Sequence, residues 1–126
     1  MKRHGIILFG HGARDARWAE PFEAVAARVR AAAPDCTVAL AFLELMAPTL
    51  TEAAAALVVA GATQIDIVPL FLGTGGHLRR DLPPLVEALR GAYPAVEIRL
   101  HAAIGEHPRV VDAMAAAAVA AASFSE

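Results

Sequence analysis

The stretch GIILFGHG, residues 5–12, decides the fold class. Its first five residues form a continuous apolar run of strand length, which is typical of a strand covered on both faces in a parallel sheet. Gly10-His11-Gly12 then interrupts the run, so a histidine follows the strand directly. The chain therefore begins with a buried strand that has a chemically capable side chain at its carboxyl end.

A helix and then three more strand-and-helix units follow this first strand. Proline or glycine bounds most of the predicted helices, which places the remaining elements at helix 16–33, strand 37–45, helix 48–60, strand 63–71, helix 83–90, strand 95–100 and helix 107–122. Parallel strands need crossover connections, and helices of these lengths supply them. We predict an α/β fold with a four-stranded parallel sheet and helices on both faces, in a single domain over residues 1–126.

The composition narrows the classes of function. With 57% hydrophobic residues the chain is expected to fold, and a net charge of −2 gives no support to nucleic-acid binding. Residues 110–122 are mostly alanine, contain Asp112 and are too few to span a bilayer, so we expect a packed helix and no membrane contact. No signal peptide is visible, and the single Cys36 cannot form an internal disulfide. We therefore expect a cytoplasmic protein.

Three chemically capable residues fall at the ends of predicted strands. His11 follows the first strand, Glu44 closes the second and His77 follows the third. In an open α/β sheet ligands bind outside the carboxyl ends of the strands, so the three are expected on one edge. Two imidazoles and a carboxylate suit a first-row divalent metal with open coordination positions. Taken singly, each also fits an ordinary role as a cap, a hydrogen-bonding group or a solvated carboxylate.

His77 lies within FLGTGGHLRRDLP, residues 71–83. The neighbouring Gly75 and Gly76 would let a ligand approach the backbone closely, although ordinary turn chemistry explains a glycine equally well. The segment does not match a P-loop, because no lysine follows the glycines and Lys2 is the only lysine in the chain.

Three arginines stand near the two histidines in sequence. Guanidinium groups pair bidentately with carboxylates, so a ligand with several carboxylates would use Arg14, Arg79 and Arg80. The alternative is that they are solvated surface charges paired with Asp15 and Asp81. The sequence favours neither interpretation.

Four segments have a recognisable pattern: ILFGHGARD (7–15), FLEL (42–45), VPLFLGTGGHLRRDLP (68–83) and IGEHPRVVDAM (104–114). Together they resemble the short-form, class II sirohydrochlorin chelatases, the CbiX-type cobaltochelatases. The resemblance covers essentially the whole chain, and its specific part is the two histidine segments in this order. One departure is Ala13, where many relatives have serine.

The resemblance implies a chelatase-like, flavodoxin-like fold in three layers, α/β/α. It also implies insertion of a divalent metal into sirohydrochlorin, in cobalamin or sirohaem biosynthesis. Co²⁺ is favoured over Fe²⁺ or Ni²⁺, and the metal would be a substrate, with no permanently bound cofactor. His11 and His77 would bind the metal and accept protons, and Glu44 would share that role. Because longer relatives fuse two such domains, a homodimer is implied for this chain.

Two other functions use the same residues. One is a non-catalytic carrier of metal or tetrapyrrole at the same site. The other is a flavodoxin-like module that binds a phosphorylated ligand at the GTGG loop, residues 73–76. Turnover beyond one equivalent of substrate separates the enzyme from the carrier.

Overall fold

The computed structural model describes residues 3–73 and 75–123, except for the side chain of His77. The strands are β1 (His4–Gly10), β2 (Cys36–Phe42), β3 (Gln64–Pro69) and β4 (Glu97–Leu100). They form one parallel sheet in the order β2-β1-β3-β4, which confirms the predicted architecture. β1 has a neighbour on each side, which agrees with its continuous apolar sequence.

Helices cover both faces of the sheet. They are α1 (Glu20–Ala32), α2 (Leu50–Val59) and α3 (Gly76–Ala92). The last helix, α4 (Pro108–Ser123), contributes no described residue to the two core clusters below. The larger core cluster packs the central strands against α2 and α3, with Ile7, Phe9, Ile65, Leu57 and Val86 almost fully buried. A smaller cluster on the opposite face packs Leu8 and Val38 against Ala26 of α1. The result is the three-layer α/β/α arrangement.

The predicted start of the third helix, at Pro83, is wrong. α3 begins at Gly76 and contains Pro83 and Pro84 in its interior. Its apolar side chains recur at helical spacing and pack into the core, and they are Leu78, Leu82, Val86 and Leu89. Burial of these side chains outweighs the backbone hydrogen bonds that the two prolines cannot donate. His77 is therefore the second residue of a helix.

The predicted end of the second strand is also wrong. β2 stops at Phe42, so Glu44 lies in the turn that follows instead of closing the strand. Leu45 has a φ of 66°, a left-handed conformation that an extended strand does not contain. Backbone pairing nevertheless continues past the strand, because the Leu43 N–H donates to the Gly10 carbonyl at 2.9 Å. The turn thus stays attached to the end of β1.

Further differences concern α1 and α4. The helix predicted over 16–33 begins as a 3₁₀ turn, Ala16–Ala19, which leads into α1. The last predicted helix forms as α4, but none of its described residues is buried. The expectation that this helix packs is therefore wrong for a single chain. Among the described residues, no helix combines the length and apolar character needed to cross a membrane.

Candidate functional site

His11 and Glu44 meet at the carboxyl rim, the edge of the sheet formed by the carboxyl ends of its strands. Nε2 of His11 lies 3.1 Å from Oε1 of Glu44, and the two side chains are 52% and 56% exposed. They are 33 residues apart in sequence. β1 and β2 are parallel neighbours, so the segments that follow them emerge side by side. The structure therefore brings together two of the three predicted metal ligands.

Gly12 allows the two segments to approach so closely. Its φ is +99°, and a Cβ atom built on it would lie 1.8 Å from the Glu44 carbonyl oxygen. The Glu44 N–H also donates to the His11 carbonyl at 3.1 Å. Only glycine fits this position, because any side chain would clash with the backbone and strain the conformation.

Phe71 lies beside the His11 imidazole on the other side. Its ring centroid is 6.3 Å from that of His11 at an interplanar angle of 73°, and it packs edge-on against Phe9 at 5.9 Å. Such edge contacts are a favourable arrangement for aromatic rings. β1 lies between β2 and β3 in the sheet. Glu44, which follows β2, and Phe71, which follows β3, therefore both lie beside His11. Phe71 is not singled out by the sequence, because its place beside His11 depends on the strand order.

The spacing of the His11 and Glu44 side chains fits two ligands of one ion. Ligand bonds of about 2.1 Å put two donor atoms about 3.0 Å apart at a right angle and about 3.4 Å apart at a tetrahedral angle. The observed 3.1 Å falls between these values. Among residues 3–73 and 75–123, excluding the His77 side chain, no group of three or more His, Cys, Asp or Glu residues is placed to hold a metal. The described part of the site is thus an exposed pair of side chains whose spacing fits two ligands of one ion.

The backbone of His77 lies in the first turn of α3, which begins after the carboxyl end of β3. Its side chain is outside the described residues, so its predicted role as a ligand stays a prediction. Gly75 is the N-cap of α3, and a Cβ built at Gly75 or Gly76 would meet nothing within 4 Å. Among the described residues, nothing requires glycine at these two positions or fills the space beside them.

The predicted substrate-binding arginines are all exposed. Arg14 follows β1, while Arg79 and Arg80 lie in the first turns of α3. Asp15, the partner that the surface-charge alternative gave to Arg14, instead pairs with Arg17 at 2.9 Å. The Arg17 side chain lowers the pKa of that carboxyl. Arg79 also lines a cleft of about 260 Å³ beside the end of β4.

The family model named CbiX matches residues 5–121. The chain belongs to the CbiX family. A sirohydrochlorin cobaltochelatase from Sulfurisphaera tokodaii is 30% identical over 109 residues, which are 86% of each chain. A sirohydrochlorin ferrochelatase from Bacillus subtilis is 32% identical over 112 residues, covering 89% of this chain.

Solved structures agree with this membership. The crystal structure of a Marinobacter aquaeolei VT8 CbiX protein, assigned to cobalamin (vitamin B12) biosynthesis, superposes with a TM-score of 0.85 at 37% identity, over 97% of this chain and 99% of that one. The sirohydrochlorin chelatase SirB from Bacillus subtilis subspecies spizizenii, in complex with cobalt, gives a TM-score of 0.73 at 30% identity, over 81% of this chain and 44% of that one. The CbiX chain spans less than half the length of the curated ferrochelatases it matches, 27% and 43%.

A second polar cluster of this CbiX chain surrounds Asp66 on the sheet itself. Asp66 is 6% exposed, and its carboxylate accepts hydrogen bonds from Arg99 at 2.8 and 3.1 Å, from His101 Nε2 at 2.6 Å, from Gln64 at 3.3 Å and from His4 Nε2. Burial alone would raise the pKa of Asp66, but these donors outweigh it and lower the pKa far below the usual range. The carboxylate therefore stays ionised inside the fold.

The sequence pattern assigns Asp66 no role and does not link it to His101, which binds it. One signal was present in the sequence. A lone aspartate between Ile65 and Ile67, in a strand of a parallel sheet, is placed where an unpaired charge would be costly. Such an aspartate requires partners, but the pattern does not identify them.

The ionised state of Asp66 predicts how stability depends on pH. Its folded pKa is depressed, so its stabilisation is present above the unfolded pKa of about 4 and is lost as pH falls towards the folded pKa. We expect Asp66→Asn to lower the free energy of unfolding by about 1–3 kcal/mol at neutral pH, because Arg99 and the two histidines lose a buried, charged acceptor. Below about pH 4 the gap to the wild type should narrow. Urea unfolding across this range measures both effects.

Asp35→Asn serves as the control, because Asp35 is exposed and its loss only removes a surface carboxylate. A gap between wild type and Asp66→Asn that stays constant down to about pH 3 would contradict the ionised state assigned to Asp66.

Proposed function

We propose that this chain is a sirohydrochlorin chelatase that inserts a divalent metal ion into sirohydrochlorin. Cobalt is the first candidate, with iron and nickel as alternatives, in cobalamin or sirohaem biosynthesis. The observation that carries the proposal is the His11–Glu44 pair, 3.1 Å apart and exposed at the carboxyl rim of a CbiX-family chain. Imidazole and carboxylate accept all three metals, so the ligands alone do not choose among them.

The reaction exchanges two pyrrole N–H protons for one divalent cation, so the charge of the macrocycle with its contents does not change. The site must therefore release a metal and accept protons in the same place. A given imidazole nitrogen binds either a metal or a proton, and only the deprotonated form is a ligand. Transfer of a pyrrole proton to His11 would thus favour departure of the metal into the ring.

Glu44 would support both states of His11. In the metal-free state, Nε2–H would donate to the Glu44 carboxylate. In the metal-loaded state, the proton would be on the other ring nitrogen, and the Nε2 lone pair would be available to the ion. The negative charge of Glu44 favours a bound cation and equally an imidazolium. In the metal-loaded state, the same spacing would let both groups bind one ion.

The substrate would lie on the open carboxyl rim. Arg14, Arg79 and Arg80 are assigned to its peripheral carboxylates, since guanidinium groups bind carboxylates bidentately. The free space beside Gly75 and Gly76 supports close approach of a flat ring. His77, at the start of α3, is assigned as the second imidazole.

We further propose one chelatase-like domain over residues 1–126, acting as a homodimer in the cytoplasm without a permanently bound cofactor. The alignment supports the pairing, because the chain corresponds to 43% of the Bacillus subtilis ferrochelatase. Two copies would thus match the length of one such relative. Sirohydrochlorin and the metal ion are the proposed small-molecule partners.

An anaerobic absorbance assay tests the proposal. Purified protein is mixed with excess sirohydrochlorin and Co²⁺, Fe²⁺ or Ni²⁺ in turn, beside a protein-free control. We expect conversion of many equivalents per protein, well above the uncatalysed rate, with at least one metal. Binding of one equivalent without turnover would identify a carrier instead. No interaction with metal or macrocycle would instead favour a module that binds a phosphorylated ligand.

A further inference from the structure

Two large apolar side chains are exposed at the carboxyl rim, one on each side of the segment that carries His11. Leu45 directly follows Glu44, after β2, and is 59% exposed. Leu72 directly follows Phe71, after β3, and is 74% exposed. β1, which leads into His11, lies between β2 and β3 in the sheet. The two leucines are thus placed beside the His11–Glu44 pair, and neither belongs to a core cluster.

The backbone of Leu45 holds its side chain in place at an energetic cost. Its φ is 66°, and within residues 3–73 and 75–123 it is the only residue other than glycine with a positive φ. The left-handed conformation is unfavourable for a residue with a bulky side chain, and exposure of a leucine to water is unfavourable as well. Backbone strain of this kind clusters at active sites and binding sites, which makes Leu45 a candidate contact for a ligand.

The backbone of Leu72 is fixed by close packing against the segment that precedes α4. A Cβ built on Gly105 would lie 2.2 Å from the Leu72 carbonyl oxygen and 2.4 Å from its Cα atom. The Gly105 N–H also donates to the Phe71 carbonyl at 2.9 Å. These contacts hold the backbone without covering the side chain, so the fold presents Leu72 to the solvent at a defined position.

We propose that Leu45 and Leu72 contact the flat face of the sirohydrochlorin macrocycle, one on each side of the His11–Glu44 pair. They would act as positioning residues that hold the plane of the ring over the pair. This role rests on the chelatase function proposed above, and it concerns two residues that the proposed mechanism does not otherwise use.

The surrounding surface favours a planar ligand with an apolar face and an acidic periphery. Exposed apolar side chains bind an apolar surface because water is released from both. Arg14 follows β1, and Arg79 and Arg80 lie in the first turns of α3, so exposed positive charge stands near the same rim. A tetrapyrrole with peripheral carboxylates matches both features, whereas a free phosphate or a hydrated metal ion has no apolar face.

The two kinds of contact would affect the reaction differently. Arginine side chains have many rotamers, so they would retain the periphery of the ring without fixing its plane. Apolar contacts on opposite sides of His11 would keep the ring parallel to the rim, with its central nitrogen atoms near the metal ligands. Loss of either leucine should therefore weaken binding and also let the bound ring tilt, which lowers the turnover of bound substrate.

The first test measures binding of metal-free sirohydrochlorin through fluorescence quenching of Trp18, the only tryptophan in the chain. We expect the dissociation constant to rise about tenfold in Leu45→Ala and in Leu72→Ala, because each variant loses most of an apolar contact. Methionine keeps a similar volume, so Leu45→Met and Leu72→Met should bind nearly as tightly as the wild type. Val59→Ala is the matched control, because Val59 is 89% exposed at the end of α2, shortly before β3 begins at the opposite edge of the sheet.

A further variant separates a binding role of Leu45 from a structural one. Leu45→Gly removes the side chain at a φ of 66°, which glycine adopts without strain. The urea midpoint should therefore stay at or above that of the wild type, while the dissociation constant rises about tenfold. A lower midpoint with unchanged binding would assign Leu45 to the fold and overturn its role. Initial rates should show a raised KM and a lowered kcat in both alanine variants.

The leucine contact and the chelatase activity can fail separately. If the wild type binds and metalates sirohydrochlorin while both alanine variants behave like Val59→Ala, only the leucine contact is overturned. If the wild type binds without turnover and the alanine variants bind more weakly, the leucine contact stands and the chelatase proposal fails. If the wild type does not bind sirohydrochlorin, both are overturned.

A second copy of the chain is the other occupant that the two leucines could have. Light scattering on the Leu45→Ala/Leu72→Ala double variant tests it. We expect the same mass as for the wild type. A lower mass would assign the leucines to a contact between copies and overturn their role in binding the macrocycle.

Discussion

Replacing His11 by alanine is expected to reduce the turnover of sirohydrochlorin metalation by at least about 10²-fold, the scale on which one positioned proton-transfer group acts. The loss combines two roles, because the same imidazole would hold the metal and accept a pyrrole proton. Stability should change little, since the side chain is half exposed and lies outside the buried clusters. Initial rates in the anaerobic assay and a urea unfolding curve measure the two effects separately.

His107→Ala is the matched control for His11→Ala. His107 is also an exposed histidine, but its imidazole caps α4 instead of meeting a carboxylate at the carboxyl rim. Its variant should keep nearly full turnover. Glu44→Gln keeps the size of the Glu44 side chain and removes its charge, so it shows how much of the loss comes from electrostatic support of His11. Unchanged turnover in His11→Ala would refute the proposed mechanism.

The meeting of His11 and Glu44 was predictable because it follows from topology. A histidine after one parallel strand and a carboxylate after the next must emerge on the same rim, whatever the loops do. Their 3.1 Å contact was not predictable in that way. It depends on Gly12, whose missing side chain admits the Glu44 backbone, and on the left-handed Leu45, which turns the chain away. Local patterns do not encode such contacts between distant segments.

Helix boundaries were less predictable where local and tertiary effects compete. Proline is common in the first turn of a helix, so the sequence alone predicts a helix that begins at Pro83. Burial of Leu78 and Leu82 moves the start of α3 to Gly76. This shift matters for the candidate site, because it puts His77 in the first turn of a helix instead of a flexible loop.

The Asp66 cluster and the exposed apolar residues of α4 mark a second limit of sequence-based prediction. Asp66 collects partners from β1, β3 and from β4 and the residue after it, and no sequence spacing links His4, Asp66 and Arg99. The apolar residues of α4 predict a packed helix, yet none of its described residues is buried. The residue pattern identifies an apolar surface but not whether the fold of the chain buries it.

Gly12→Ala is expected to damage both the fold and the site. A φ of +99° strains any side chain, and the added Cβ would lie 1.8 Å from the Glu44 carbonyl oxygen, so the turn after β2 must move. Strained backbone of this kind costs about 1–3 kcal/mol, and the displaced turn takes the Glu44 carboxylate away from His11. We expect a drop in the free energy of unfolding of at least about 2 kcal/mol, together with a fall in turnover that approaches the effect of Glu44→Gln.

Gly91→Ala is the control that separates this steric effect from the general cost of changing a glycine. Gly91 lies in α3, and a Cβ built there meets nothing within 4 Å, so alanine should stabilise the helix by about 0.5–1 kcal/mol. Urea unfolding and the anaerobic assay on both variants give the comparison. A destabilised Gly12→Ala protein with wild-type turnover would mean that the position of Glu44 beside His11 is not used in catalysis. Wild-type stability would mean that the turn after β2 adapts without cost, and that Gly12 does not hold the pair together.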